Sequence, residues 1–331
     1  MRAVRMHAYG DASVLSLDEV PRPTLGPRDL RVRVRASSVN PVDAKIRSGA
    51  QRALIHLSLP WTLGMDVSGE VVEVGARVTG FAVGDEVYAS PSHRRMGGYA
   101  EEVVVRAVEC ALKPPSLTHE AAASLPLVGL TAMDALDALR LSAGERILVQ
   151  AGSGGVGTIA IQLAKHRGAE VLTTCSARNH PLVTELGADR AIDYRSERFE
   201  EVAAGCDAVL ESLGPAHLVR AVETVRPGGR IASITPGLPS YTKRHGPVLG
   251  VLAFAAGFAG TWLRARRRRD VRVRLVTRRP SGARLAELAA RVEEGAVRPV
   301  IDRVFSLEET AEAHRYLETG RARGKVVLNV A

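Results

Sequence analysis

The chain has 331 residues, enough for about two domains that each bury their own hydrophobic core. Hydrophobic residues make up 46% of it and charged residues 24%, which is ordinary for a soluble globular protein. The net charge of +9 is not spread along the chain: residues 264–279 hold nine Arg and one Asp, a local charge of +8 that leaves about +1 elsewhere. This distribution argues against a basic, nucleic-acid-binding fold and indicates a single basic patch.

The three cysteines, Cys110, Cys175 and Cys206, have no pairing pattern, which favours a reducing compartment. The first ten residues, "MRAVRMHAYG", contain no apolar run of the kind found in signal peptides. We therefore expect a cytoplasmic protein.

Residues 1–124 have the pattern of a β-rich unit. In "LRVRVRASSV", Leu30, Val32 and Val34 alternate with arginines, the period of a half-buried strand. The stretches "GEVVEVG" and "GDEVYAS" are short strand candidates bounded by glycine. A small barrel-like domain is predicted here.

A different pattern begins at the strand candidate Ile147–Val149. Gly152, Gly154 and Gly157 follow in G-x-G-x-x-G spacing. A helix with one apolar face comes next, and a second strand begins at Val171. In that context the glycines predict a turn that approaches a dinucleotide pyrophosphate at the helix N-terminus. The alternative is an ordinary strand–helix turn with no ligand.

Strand and helix patterns continue to alternate after this unit. The stretches 206–214 and 228–235 read as parallel strands, with a helix near 217–225 between them. We predict a doubly wound parallel sheet of six strands within 125–277, with the sixth strand at 271–277.

The second strand of this unit ends without the acidic residue that commonly binds a ribose hydroxyl. Cys175, Ser176 and Arg178 occupy the turn instead. An Arg attracts a ribose 2′-phosphate that an Asp would repel, and a charge pair at about 4 Å is worth about 4 kcal/mol in a partly screened site. The pattern predicts NADPH as cofactor. The alternative is that Arg178 is a solvated turn residue.

Several stretches together carry a resemblance to a known family. They lie in order along the chain: "ASSVNPVDAKIRSG", "LGMDVSGEVVEVG", "GGYAEEVVV", "LPLVGLTAMDAL", "AGSGGVG", "LGADRAIDY" and "RARGKVVLNV". The chain resembles the zinc-free quinone oxidoreductase branch of the medium-chain dehydrogenase/reductase superfamily. In "ITPGLPSYTKRHG" and "GAVRPVIDRVF" it is similar to relatives of the mitochondrial reticulon-interacting oxidoreductase.

The resemblance implies an α/β protein with two domains. Residues 1–124 and 278–331 would form a GroES-like, β-rich catalytic domain. Residues 125–277 would form a Rossmann domain with a doubly wound parallel sheet that binds NADPH. The active site would lie in the cleft between the two domains.

The resemblance also bears on metal binding. Zinc-containing members hold the metal at positions that correspond here to Asn40, Met65 and a residue near Leu127. These side chains do not suit zinc, which prefers Cys, His and carboxylate ligands. We therefore expect no metal site.

Catalytic and cofactor-binding residues follow from the same resemblance and from the glycine motif. Asn40 and Asp43 would lie at the nicotinamide end, and Lys45 replaces a Tyr common in this branch. Lys45 would stabilise an enolate-like oxygen or donate a proton, or else form an ion pair with Asp43 or Asp66. The predicted cofactor-binding residues are Thr131, Gly152, Ser153, Gly154, Gly155, Val156, Gly157, Ser176, Arg178, Tyr194 and Lys325.

The function expected is that of a zinc-independent NADPH oxidoreductase acting on small-molecule quinones or α,β-unsaturated carbonyls. One alternative is an enoyl or alkenal double-bond reductase without quinone activity. Another is a non-catalytic NADPH-binding protein that uses its Arg patch to bind RNA or a membrane.

The apolar stretch 247–263, which precedes the Arg run, is not explained by the dinucleotide fold. Burial against the sheet or at a subunit interface is the favoured interpretation. Association with a membrane surface and binding of nucleic acid by the Arg run are the alternatives. We expect a homodimer formed through the edge strand at 271–277.

Overall fold

The computed structural model describes residues 1–52, 54–235 and 237–330, without the side chains of Pro239, Ser240, Lys243, Pro247, Arg268 and Arg269. The chain forms two compact units. Unit 1 comprises residues 1–130 and 279–331, and unit 2 comprises residues 131–278. The domain limits expected from the sequence, 124/125 and 277/278, stay predictions.

Unit 1 is built mainly from β-strands, as its alternating pattern indicates. Its strands are β1 (Arg2–Met6), β2 (Leu15–Glu19), β3 (Asp29–Val39), β4 (Trp61–Thr62), β5 (Val67–Val74), β6 (Glu86–Ala89), β7 (Glu102–Arg106), β8 (Cys110–Leu112), β15 (Ile301–Ser306) and β16 (Lys325–Asn329). Its helices are α1 (Pro41–Arg47), α2 (His119–Ala123), α10 (Gly282–Glu293) and α11 (Thr310–Glu318). A further helix, α3 (Pro126–Leu139), contains the boundary between the units.

The larger sheet of unit 1 has the strand order β15-β16-β3-β5-β6-β8, and β7 also pairs with β3. A second sheet has the order β2-β1-β4. Leu30, Val32 and Val34 of β3 are buried, which confirms the alternation read from the sequence.

Strand pairing sets the surroundings of the site described below. Strand β16 pairs antiparallel with β3, so that Val326 lies opposite Val39. Strand β5 pairs with the other edge of β3, with Val67 opposite Ser37. Because of this register, the residues at the end of β3, before β5 and at the start of β16 come together.

Unit 2 contains the predicted doubly wound sheet. Its strands are β9 (Arg146–Val149), β10 (Glu170–Cys175), β11 (Arg190–Asp193), β12 (Cys206–Glu211), β13 (Val225–Ser233) and β14 (Arg272–Leu275). They are all parallel, in the order β11-β10-β9-β12-β13-β14. The helices are α4 (Gly155–His166), α5 (His180–Glu185), α6 (Phe199–Val202), α7 (Pro215–Thr224), α8 (Leu238–His245) and α9 (Pro247–Arg269).

The strand order reverses on either side of β9, which makes the carboxyl end of β9 the switch point of the sheet. Ligands of open α/β sheets bind at such a point, because the helices diverge there and leave a crevice. The glycine motif follows β9 directly. The six strands and the edge position of β14 agree with the prediction.

Helix α9 differs from the prediction. The favoured interpretation placed the apolar stretch 247–263 against the sheet or at a subunit interface. The prediction that this stretch is buried against the sheet is wrong. Only 11% of the most apolar window of the helix, within Val248–Arg267, is buried in this chain. Its contacts with the sheet core come from its C-terminal half, where Ala265 is fully buried and Phe258 packs on that core. By length and composition alone, this helix passes the test for a membrane span.

Candidate functional site

The carboxylate of Asp66 is the centre of a buried polar network in unit 1. Its Oδ2 accepts hydrogen bonds from Ser38 Oγ at 2.6 Å and from Asn40 Nδ2 at 2.8 Å. The ammonium of Lys325 lies 3.2 Å from the same oxygen. The backbone N–H of Leu127 donates to Asp66 Oδ1 at 2.7 Å. The Asp66 charge is fully buried and every neighbour named here is a donor, so it is compensated as a buried charge must be.

The amide of Asn40 is held in one orientation by this network. Its Nδ2 donates to Asp66, and its Oδ1 accepts from the Lys325 ammonium. Only one assignment of the amide oxygen and nitrogen satisfies both partners. The predicted catalytic residue Asn40 is therefore a rigid group rather than a mobile surface amide.

Asp43 is also fully buried, but it is poorly compensated. One oxygen accepts the backbone N–H of Asn40 at 2.9 Å, and the other, Oδ1, is buried with no hydrogen-bond partner in the described part of the chain. Burial raises the pKa of Asp43 to about 7, and the nearby Asp66 charge adds to this effect. The carboxyl group of Asp43 is accordingly poised between its acid and base forms near neutral pH.

A chain of buried side chains adjoins this network, and the sequence reading missed it. Arg47 is 1% exposed and donates to His314 Nδ1 at 3.0 Å, while His314 Nε2 lies 3.2 Å from the hydroxyl of Tyr99. Burial and the Arg47 charge lower the pKa of His314 to about 3, so the ring is neutral. Since Nδ1 accepts from Arg47, Nε2 carries the proton and donates to Tyr99.

Burial, followed by the Asp43 charge, raises the pKa of the Tyr99 phenol well above its usual value. The phenol therefore stays protonated. Tyr99 stands in the quoted "GGYAEEVVV" stretch, so a signal was present in the sequence. Arg47 stands in the quoted "ASSVNPVDAKIRSG" stretch as well, whereas His314 lies in none of the quoted stretches.

Lys45, the third predicted catalytic residue, lies in the last turn of α1 and is half-buried. Burial lowers the pKa of its ammonium. The structure does not contain the alternative ion pair of Lys45 with Asp66 or Asp43. Asp66 is paired with Lys325 instead. Within the described part of the chain, no carboxylate pairs with Lys45.

The positions that the resemblance aligns with zinc ligands lie at or beside the same network. Asn40 and Leu127 bond to Asp66 through side chain and backbone respectively. Met65 is buried beside Asp66 in the chain. Over residues 1–52, 54–235 and 237–330, there is no group of three or more His, Cys, Asp or Glu side chains that could hold a metal ion.

In unit 2 the glycine turn is shaped by close backbone packing. A Cβ atom at Gly152 would collide with Thr173 Oγ1, and one at Gly157 would collide with the carbonyl oxygen of Ala151. The turn is pinned to β10, since Thr174 Oγ1 accepts the Ala151 N–H at 3.0 Å. Larger residues at these two glycines would push the turn away from the sheet and close the space above the helix.

The residues between these glycines form the start of α4. No side chain caps the helix at Gly154, and Gly155, Val156 and Gly157 are its first three residues. Their N–H groups have no intrahelical acceptor and carry the positive end of the helix dipole. This is a suitable site for a pyrophosphate.

The turn after β10 carries the residues that predicted NADPH. Ser176 is buried directly after the strand, and Arg178 is exposed in a short 3-10 helix. The sequence reading missed Asn179, which is 5% exposed and donates to Ser153 Oγ at 2.9 Å. Its Oδ1 is buried and has no hydrogen-bond partner among the residues that the structure describes.

The three remaining predicted cofactor residues do not lie in this turn. Thr131 is buried in α3, and Tyr194 is 57% exposed after β11, with the guanidinium of Arg195 5.8 Å from its ring centroid. Lys325 lies in unit 1, where it bonds to Asn40 and Asp66. One of its two observed partners, Asn40, is a predicted catalytic residue.

Comparisons with known proteins give matches in both units of the chain. Residues 26–115 match the family model for the alcohol dehydrogenase GroES-like domain, and residues 186–328 match that for zinc-binding dehydrogenase. The chain is 37% identical over 326 residues to the mitochondrial NAD(P)H oxidoreductase RTN4IP1 of Danio rerio, covering 92% of this chain and 84% of the relative. It is 36% identical over 340 residues to 2-methylene-furan-3-one reductase of Solanum lycopersicum, covering 99% of this chain and 79% of the relative.

Among solved structures, the quinone oxidoreductase from Coxiella burnetii superposes with a TM-score of 0.88 at 33% identity, covering 100% of this chain and 99% of that one. Identity and coverage of this extent, over both units, confirm the resemblance read from the sequence. The chain belongs to the medium-chain dehydrogenase/reductase superfamily, in its quinone oxidoreductase-like branch.

Proposed function

We propose that this protein is an NADPH-dependent oxidoreductase that transfers hydride to quinones or α,β-unsaturated carbonyl compounds without a metal ion. The observation that carries the proposal is the Asp66 network. Where other members of the superfamily bind zinc, this chain has an amide, an ammonium and a buried carboxylate that satisfy one another. Such a site would not polarise a simple carbonyl group as a Lewis-acidic metal does, so we expect an acceptor that is already activated by conjugation.

The residues of unit 2 fit NADPH. The glycine turn and the uncapped start of α4 would hold the pyrophosphate. Ser176 and Arg178 would bind the 2′-phosphate, and the unpaired Oδ1 of Asn179 would accept from the adenosine ribose. When bound, the cofactor supplies a hydride, which a conjugated acceptor takes at its activated carbon.

The residues of unit 1 would position the acceptor and handle its proton. The Asp66 network fixes the direction of the Asn40 amide, so that no reorganisation is needed during the reaction. Lys45 is a cation with a lowered pKa, suited to stabilise an enolate-like oxygen or to protonate it.

Two related activities are compatible with this site. Relatives of the chain include quinone oxidoreductases and a chloroplastic alkenal/one oxidoreductase from Arabidopsis thaliana that is 34% identical over 344 residues. The second candidate is therefore an enone or alkenal double-bond reductase without quinone activity. It is supported by the 2-methylene-furan-3-one reductase among the relatives.

A cytoplasmic location and a homodimer are parts of the same proposal. The free, buried state of Cys110, Cys175 and Cys206 supports a reducing compartment. The edge position of β14 supports self-pairing, because no strand lies next to its outer backbone groups among the described residues of unit 2.

The proposed reaction is tested by NADPH oxidation with quinones, conjugated enones and simple aldehydes, each with and without a metal chelator. We expect turnover of quinones or enones, none of simple aldehydes, and no effect of the chelator. Turnover confined to enones would select the second candidate. Loss of activity with the chelator, or turnover of unconjugated aldehydes, would contradict the proposal.

Substitution of Arg178 tests the cofactor preference. Arg178→Asp replaces an attraction for the 2′-phosphate by repulsion, so kcat/KM for NADPH should fall relative to NADH by about tenfold, equivalent to about 1.4 kcal/mol. Arg198→Asp, at an exposed arginine elsewhere in unit 2, is the matched control and should leave the preference unchanged. An unchanged preference in Arg178→Asp would remove this residue from the cofactor site.

The role of Lys45 is tested by pH dependence. Because burial lowers its pKa, the protonated fraction of Lys45 falls at lower pH than that of an exposed lysine, and kcat should decline on the alkaline side. Lys45→Met should lower kcat about 100-fold, the lower end of the usual contribution of a general acid, and abolish the decline. Lys165→Met, at an exposed lysine of unit 2, serves as control. Full activity of Lys45→Met would exclude a role in proton transfer.

The homodimer should be more stable at higher salt. Two-fold pairing of β14 would bring Arg272 and Arg274, both exposed, close to their copies, and salt weakens that repulsion. Sedimentation velocity at low and moderate ionic strength measures this, and a double Arg272→Ser, Arg274→Ser variant should lose the salt dependence. A protein that is monomeric at every salt concentration would rule out pairing at this edge.

A further inference from the structure

Helix α9 exposes an apolar surface that neither unit 2 nor the proposed reaction uses. Residues 248–263 contain no charged residue. In the N-terminal half of the helix, Val248, Leu249 and Leu252 are 71%, 65% and 61% exposed. Exposed aliphatic side chains so close together are unusual on a soluble surface and indicate a contact with another apolar phase.

The surface is held in place by packing beneath it. Gly250 lies so close to the backbone of Thr242 in α8 that a Cβ atom would collide with it. The rings of Tyr241 and Phe254 join α8 to α9 in an edge-to-face contact, with centroids 5.9 Å apart. The exposed face is thus part of a packed helical pair.

A cluster of arginines follows the apolar face along the same helix. Arg264, Arg266 and Arg267 are all exposed. Between the two surfaces stands Trp262, 38% exposed, with the guanidinium of Arg266 5.5 Å from its ring centroid. Apolar side chains enter the acyl boundary of a bilayer, tryptophan favours its interface, and cations contact anionic headgroups.

We propose that α9 binds the surface of an anionic lipid membrane, with its apolar side chains in the acyl boundary and its arginines among the headgroups. Charge complementarity indicates that an anionic membrane is the partner of this surface. Residues 264–279 concentrate a charge of +8, and anionic lipids supply the counter-charge directly.

The helix lies on the membrane rather than across it. It connects β13 to β14, which pair as parallel neighbours with Ile231 opposite Val273. A helix across the bilayer would place these two strands on opposite sides of the membrane, which their pairing forbids. This surface is distinct from the cofactor turn and the Asp66 network, so the inference does not depend on the proposed function.

Binding is tested by co-sedimentation of the full-length protein with vesicles of phosphatidylcholine, with and without phosphatidylglycerol. We expect binding to the anionic vesicles, weakened by salt, and little binding to phosphatidylcholine alone. In a Trp61→Phe variant, Trp262 is the sole tryptophan, and its emission should shift to the blue when anionic vesicles are added. Absence of both binding and shift would overturn the proposal.

Two substitutions separate the apolar and the charged contributions. Leu252→Glu and Arg266→Glu should each weaken binding to anionic vesicles, by about tenfold or more. The matched controls are Leu112→Glu, at a leucine 56% exposed in unit 1, and Arg28→Glu, at an exposed arginine of the same unit, and both should bind as the unsubstituted protein does. Circular dichroism verifies that each variant is folded.

A second copy of the chain or a nucleic acid on this surface would give different results. If Leu252→Glu leaves vesicle binding intact but converts a sedimenting dimer to a monomer, a second copy covers the helix and the membrane proposal fails. If a single-stranded oligonucleotide binds equally to the unsubstituted protein and to Leu252→Glu, and no vesicle binds, the Arg cluster acts alone on nucleic acid and the proposal fails as well.

Discussion

The burial of the Asp66 carboxylate is the constraint on which the site in unit 1 depends. A charge with no access to water must be matched by donors, and here they come from Ser38, Asn40, Lys325 and the backbone of Leu127. Removing one partner of a buried ion pair leaves an uncompensated charge, which costs far more than the pair itself contributes. The network therefore ties the ends of β3 and β16 to the segment before β5, and it fixes the Asn40 amide.

Two carboxylates of the same site have opposite surroundings. Asp66 is surrounded by donors and an ammonium, whereas Asp43 keeps one oxygen unpaired and has a pKa raised to about 7. Neighbouring acids in unequal environments commonly divide structural and proton-handling roles. His314, whose pKa is lowered, and Tyr99, whose pKa is raised, keep one charge state near neutral pH, in contrast to Asp43.

Helices α8 and α9 connect β13 to β14, which pair in register. Adjacent parallel strands need a crossover of a dozen or more residues, usually a helix. Ala265 and Phe258, in the C-terminal half of α9, pack on the core of the sheet, while the N-terminal half of the helix remains exposed. The same connection thus supports the sheet at one end and presents an apolar surface at the other.

The sequence by itself determined what depends on local pattern. Alternation in β3 and the glycine spacing after β9 predicted strands, helix and cofactor turn, because periodicity and close backbone packing are written in neighbouring residues. The motifs also singled out Asn40 and Asp43. Contacts between distant residues were decided only by the tertiary structure: Lys325 meets Asn40 across 285 positions, and His314 meets Tyr99 across 215. The exposure of α9 was also decided only by the tertiary structure, because an apolar run has the same composition whether a sheet covers it or not.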